Sequence, residues 1–79
     1  MSQPTTTVSP RERLARLSPR DRDVVTALIK YWWLDEDQVA EMINMSVHNL
    51  RKRRQHAYPV LDVYTRHALV YVYRDLFPQ

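Results

Sequence analysis

The side chains best suited to recognition chemistry crowd into residues 46–58. His48, Arg51, Lys52 and Gln55 recur at helical spacing, so one helix presents them as a stripe. Asn49 and Arg54 flank the stripe, and Leu50 and Ala57 fall on the opposite side. Arg offers a bidentate donor pair to guanine, and Asn or Gln pairs with adenine. The stripe therefore suits the major groove of duplex DNA, with Asn49, Arg51, Lys52 and Gln55 as base-contacting candidates. Ser46, His48, Arg53 and Arg54 are the phosphate-contacting candidates, setting register without reading sequence.

The charge map supports a directed face. The chain carries 12 Lys and Arg against 9 Asp and Glu, a formal net charge of +3. That excess is mild, but its distribution is not. Asp35, Glu36, Asp37 and Glu41 make 35–45 purely acidic, and Arg51-Lys52-Arg53-Arg54 follows at once. The plainer reading of a basic run is a solvated helix face. Inside an amphipathic helix next to an acidic one, it reads as an electrostatic footprint.

Composition excludes other chemistries. There is no Cys, hence no disulfide, no thiol nucleophile and no Cys-based zinc site. There is no Gly, hence no phosphate-cradling loop and no nucleophile elbow. His48, His56 and His67 have no clustered carboxylates to complete a metal site. No enzymatic activity, metal or cofactor is expected. The polar start of the chain lacks the apolar core of a signal peptide, and no apolar run nears the ~20 residues of a membrane span. A cytoplasmic protein without membrane contact is expected.

Cap signals place the elements around the stripe. Ser18-Pro19 followed by Asp21 starts a helix over 19–32, with Val25, Leu28, Ile29 and Trp32 inward. Asp35 with Gln38 starts a short helix over 36–43, faced by Val39, Ala40 and Ile43. Asn44 takes the left-handed stop, Met45 plugs the turn, and Ser46 caps the stripe helix over 47–57. Pro59 ends that helix and pushes Tyr58 towards extended backbone. Thr65 caps a last helix over 66–76. Residues 1–16 are expected as a flexible tail, in which Ser9-Pro10-Arg11-Glu12 can start one helical turn through Leu14 and Leu17. The domain is 17–79, all-α, with a helix-turn-helix at its centre.

These residues resemble the LuxR/GerE-type (NarL-like) DNA-binding domain. Leu17-Ser18-Pro19-Arg20-Asp21-Arg22-Asp23-Val24-Val25 is similar to that family's opening Leu-Thr-x-Arg-Glu-x-Glu-Val-Leu. Val39-Ala40-Glu41 resembles its Ile-Ala-Glu on the scaffold helix, and Met45-Ser46-x-x-Asn49-Leu50-Arg51 its Ile-Ser-x-x-Thr-Val-Lys. Leu61-x-Val63, Arg66 and Leu69-Val70 resemble its Leu-Gly-Val, Arg and Ala-Val ending. The resemblance spans roughly 17–73. It implies a four-helix reader domain, here stand-alone without a sensor, acting as a sequence-specific transcriptional regulator. Four departures stand out. Tyr31-Trp32-Trp33 replaces a small, Gly-containing turn, and Asn44 and Asp62 replace glycines. Tyr58-Pro59 replaces a basic helix end, and Arg53 stands where the family often has His. The family's DNA preference does not carry over.

The resemblance also implies dimers through the last helix. The residues agree, because that helix is too apolar for one buried stripe. Leu69, Val72 and Leu76 are expected in the core, and Ala68, Tyr71, Val72 and Asp75 at a homodimer contact. Trp32 is expected in the core, and Trp33 at the domain edge or against a partner. The alternative function is a protein-interaction module, an anti-activator that binds another regulator or cellular protein through Trp33, Tyr31 and the last helix.

Overall fold

The computed structural model describes residues 8–77; residues 1–7, the front of the expected tail, lie outside them. Among the described residues every regular element is a helix: α1 Pro10–Ala15, α2 Pro19–Lys30, α3 Glu36–Met42, α4 Val47–Leu61 and α5 Arg66–Tyr73, then a 3-10 turn Arg74–Leu76.

Each α-helix starts on the capping residue expected for it. Ser9, Ser18, Asp35, Ser46 and Thr65 all have extended backbone, and each side chain accepts from the N–H three residues on. Ser9 with Glu12 and Asp35 with Gln38 close full capping boxes. The rear of the expected tail is therefore folded. Leu14 and Leu17 are buried, and α1 packs on α4.

Helix α2 is the centre of the fold, with Val24, Val25, Ala27, Leu28 and Ile29 buried against α4 and α5. It ends at Lys30, short of the expected 32. The reason is Arg66 of α5. Its guanidinium donates to the carbonyls of Leu28 at 3.1 and 3.3 Å, of Tyr31 at 2.7 Å, and of Leu34. Carbonyls held by a cation no longer wait for further helix, and the chain turns through Tyr31–Leu34. Trp32 is thereby rotated out of the core face and is 60% exposed, which corrects its expected burial. Trp33 is 62% exposed.

Two turns work without glycine. Asn44 has φ 57° and Asp62 has φ 59°, the left-handed conformation that Asn and Asp tolerate best. Both close Schellman motifs. Met45 N–H donates to Ala40 and Asn44 N–H to Glu41; Val63 N–H donates to Tyr58 and Asp62 N–H to Pro59. The second turn corrects the length of α4, which runs to Leu61 rather than 57. Pro59 and Tyr58 lie inside the helix. The proline withholds a donor only from the carbonyl of Gln55, an exposed residue that water can serve. Burial of Leu61 and Val63 beyond it outweighs that loss.

Helix α5 also departs from its expected pattern. It narrows into the 3-10 turn after Tyr73 instead of continuing to 76. Leu69 is buried, but Val72 is 44% exposed and Tyr73 takes the core position. The Tyr73 hydroxyl donates to the Leu61 carbonyl at 2.7 Å, so the ring fills the core while its oxygen closes the end of α4.

Two outcomes are expected. Arg66→Ala should lower unfolding free energy by about 3 kcal/mol, since several carbonyls lose a charged donor at once; urea titration measures it. Arg66→Lys should recover less than half, because an ammonium cannot reproduce the planar fork. At α1, hydrogen bonds from the Ser9 backbone and then its hydroxyl hold the Glu12 carboxyl below its ordinary value of 4.5. A depressed carboxylate contributes stability above its unfolded pKa and loses it as pH falls through the folded one. The protection of the Ser9 and Glu12 amides, taken relative to their intrinsic exchange rates at each pH, should therefore fall on acidification below that ordinary value, before the protection of α2 changes.

Candidate nucleic-acid interface

Helices α3 and α4 are joined through Ile43, Asn44, Met45 and Ser46. The Asn44 turn and the Ser46 cap fix both ends of this connection. Val39 and Ala40 of α3 and Leu50 of α4 are fully buried, with Ile43, Met45 and Val47 packed against that core. The start of α4 is thus held rigidly, and its outer side carries the candidate residues.

His48, Asn49, Arg51, Lys52 and Gln55 are all exposed, as are Ser46 and His56; Arg53 and Arg54 are half-buried. The basic run is not one field of free charge. Arg53 pairs with the buried Asp21 of α2 at 3.5 Å. Arg54 pairs with Glu36 of α3 and lies 5.8 Å from the centre of the Tyr58 ring. Arg51 donates from Nε to the same Glu36 at 3.2 Å and lies 3.9 Å from Asp37. Lys52 has no acidic partner among the described residues. Three of the four basic side chains thus also tie α4 to its neighbours.

Beside the start of α4 lies a cleft of about 500 Å³ lined by Arg20, Asn44, Met45, Ser46, Asn49, Lys52, Arg53 and His56. No carboxylate lines it. It joins expected base-contacting residues, Asn49 and Lys52, with expected phosphate-contacting ones, Ser46 and Arg53. Arg20, which no candidate set contained, comes from the first turn of α2. Its position is fixed by the packing of α2 on α4, which no local spacing signals. His48, Arg51, Gln55 and Arg54 lie outside this cleft. Gln55 and Arg54 instead border a second cleft of about 380 Å³ with Tyr58, Pro59, Val63, Tyr64, Thr65 and Arg66. In that region the Tyr58 hydroxyl is buried without a partner among the described residues, and burial raises its pKa.

The expected dimer residues divide. Ala68 is half-buried against the core. Tyr71, 81% exposed, lines a cleft of about 390 Å³ with Trp32, Arg66, His67, Val70 and Arg74. Val72 and Asp75 line another, of about 230 Å³, with Ser9, Pro10, Arg11 and Leu76. Trp33 stands edge-on to both Trp32 and Tyr31, with ring centres 5.9 and 6.1 Å apart. The Trp32 cleft and the Arg20 cleft sit at opposite ends of α2, a helix of 12 residues about 18 Å long.

Comparison with known proteins brings no match, whether to family models, to curated proteins or to solved structures. Among the described residues no three His, Cys, Asp or Glu gather as a metal site, and no helix is long and apolar enough to cross a membrane.

Free and tied basic residues should separate by experiment. Lys52→Ala should leave the thermal midpoint unchanged but shorten retention on a polyanion column. Arg54→Ala should lower stability by about 1 to 2 kcal/mol, since it strips Glu36 of its more buried partner and uncovers Tyr58.

Proposed function

We propose that the chain is a DNA-binding transcriptional regulator of LuxR/GerE type, which places the start of α4 in the major groove. The observation that carries this reading is the acid-free cleft lined by Arg20, Ser46, Asn49, Lys52, Arg53 and His56, beside the exposed face of a rigidly capped α4. Asn49, Arg51, Lys52 and Gln55 face base edges. Ser46, His48 and Arg53 face phosphates, joined by Arg20 and His56. Arg54, half-buried on Glu36, contributes less to contact than its place in the run implies. A second copy docks through the exposed side of α5, at Tyr71, Val72 and Asp75 with Ala68 beneath, so that two α4 helices reach successive half-sites.

Selection from a random duplex pool, followed by titration at several salt concentrations, tests this. Expected are one enriched half-site and an affinity that falls steeply with salt. Arg51→Ala or Gln55→Ala should cost about tenfold or more on the selected duplex and relax preference at one position, as for a lost bidentate base contact. Affinity no greater than that of a Lys-rich control peptide at low salt overturns the reading.

A second reading, an interaction module that binds another regulator, rests on the exposed Trp32–Trp33 pair and the cleft that Trp32 shares with Tyr71 and Arg74. Capture of a different chain, with loss of capture on Trp32→Ala, favours it. Recovery of only the chain itself counts against it.

A further inference from the structure

We propose that Glu36 is a specificity-determining residue: it holds Arg51 back from passing phosphates and releases it only where the other base contacts of α4 form with it. It rests on the DNA-binding reading above and names how the same face is kept selective.

The geometry is that of one anion between two unequal cations. Glu36 opens α3 directly after the Asp35 cap, and its side chain is only 17% exposed. One carboxylate oxygen accepts from Arg51 and the other from Arg54. Arg51 and Arg54 are one helical turn apart, so a single carboxylate spans both. Arg54 is the fixed partner, half-buried and beside the Tyr58 ring. Arg51 is the movable one, its side chain half exposed, with a second, longer contact to the exposed Asp37.

The inequality matters. If Glu36 had one partner, its departure to DNA would strand a largely buried carboxylate, at a cost that forbids the motion. Here Arg54 stays, and Arg51 can leave while Glu36 remains paired. Arg51 is already satisfied before DNA arrives, so an isolated phosphate gains little by taking it. A phosphate accepts the fork as well as a guanine edge does, but it is present on every duplex. A guanine edge meets Arg51 only on the right sequence, where the other base contacts of α4 form with it and together offset the lost Glu36 pair. Glu36 and Asp37 also repel phosphates that approach α4 from the α3 side. Affinity for arbitrary sequence falls more than affinity for the right one.

The experiment compares the natural chain with Glu36→Gln and Asp37→Asn on two duplexes, the one recovered by selection and one of random sequence, across a salt series. Expected for Glu36→Gln is a rise of about tenfold in affinity for the random duplex, a smaller rise for the selected one, and a salt dependence steeper by about one released counterion. Asp37→Asn should move both affinities the same way by a smaller factor. The Asp37 side chain is 72% exposed and its contact with Arg51 is 3.9 Å long, so its neutralisation costs the fold little and keeps the test alive if Glu36→Gln proves unstable. Equal affinity of all three proteins for the random duplex overturns this inference alone. A rise that is equal on both duplexes also overturns it, since charge was then removed without loss of selectivity. No binding of either duplex by any of the three overturns the DNA-binding reading as well.

Discussion

One guanidinium holds the topology together. Arg66 reaches from the first turn of α5 to the carbonyls at the end of α2 and in the turn after it. Those carbonyls form the negative end of the α2 dipole, so the cation meets partial charge as well as lone pairs. Burial lowers its pKa, yet it meets no carboxylate among its hydrogen-bond partners. The single contact ends α2, directs the chain into α3, and pins α5 on the far side. The position of α3 sets the Asn44 turn, and that turn sets the direction in which α4 leaves the core.

The neighbouring ion pairs act on a smaller scale. Helix α3 has seven residues, and only Val39 and Ala40 of them are buried. Such a helix adds little apolar area, and the links from Glu36 to α4 supplement it. Exposed ion pairs contribute about 1 kcal/mol or less. That figure applies to the exposed contacts of Arg51; the more buried Arg54–Glu36 pair carries most of the link between the two helices. The residues that steady α3 on α4 are the same ones that face outward, so local stability and surface charge cannot vary independently here.

What could be read in the sequence was local. Caps at Ser9, Ser18, Asp35, Ser46 and Thr65 depend on residues three apart, and all five stand where their side chains predict. Asn44 and Asp62 were legible for the same reason, as the residues other than Gly that best accept positive φ. What escaped reading was long-range. Trp32 fitted the periodicity of α2 only while the helix was assumed to continue, and the group that stops it comes from α5. Pro59 reads as a terminator by local rules, yet the burial of Leu61 and Val63 carries α4 past it. Tyr73 looked like one of many apolar residues of α5; its partner at Leu61 gives it the core position. At the candidate site, the exposed stripe on α4 was legible, whereas Arg20 and the ties of Arg51, Arg53 and Arg54 depend on packing between helices.

The two left-handed turns have a consequence outside the folded state. A non-Gly residue at positive φ carries roughly 1 kcal/mol of strain that glycine would avoid. Glycine would also give the unfolded chain more freedom to lose, by an amount of about 0.4 to 1 kcal/mol at each site. The two effects nearly cancel at Asn44 and Asp62. With no glycine anywhere and 5 prolines in 79 residues, the unfolded ensemble of this chain is narrowed along its whole length. A core this small has correspondingly less disorder to overcome.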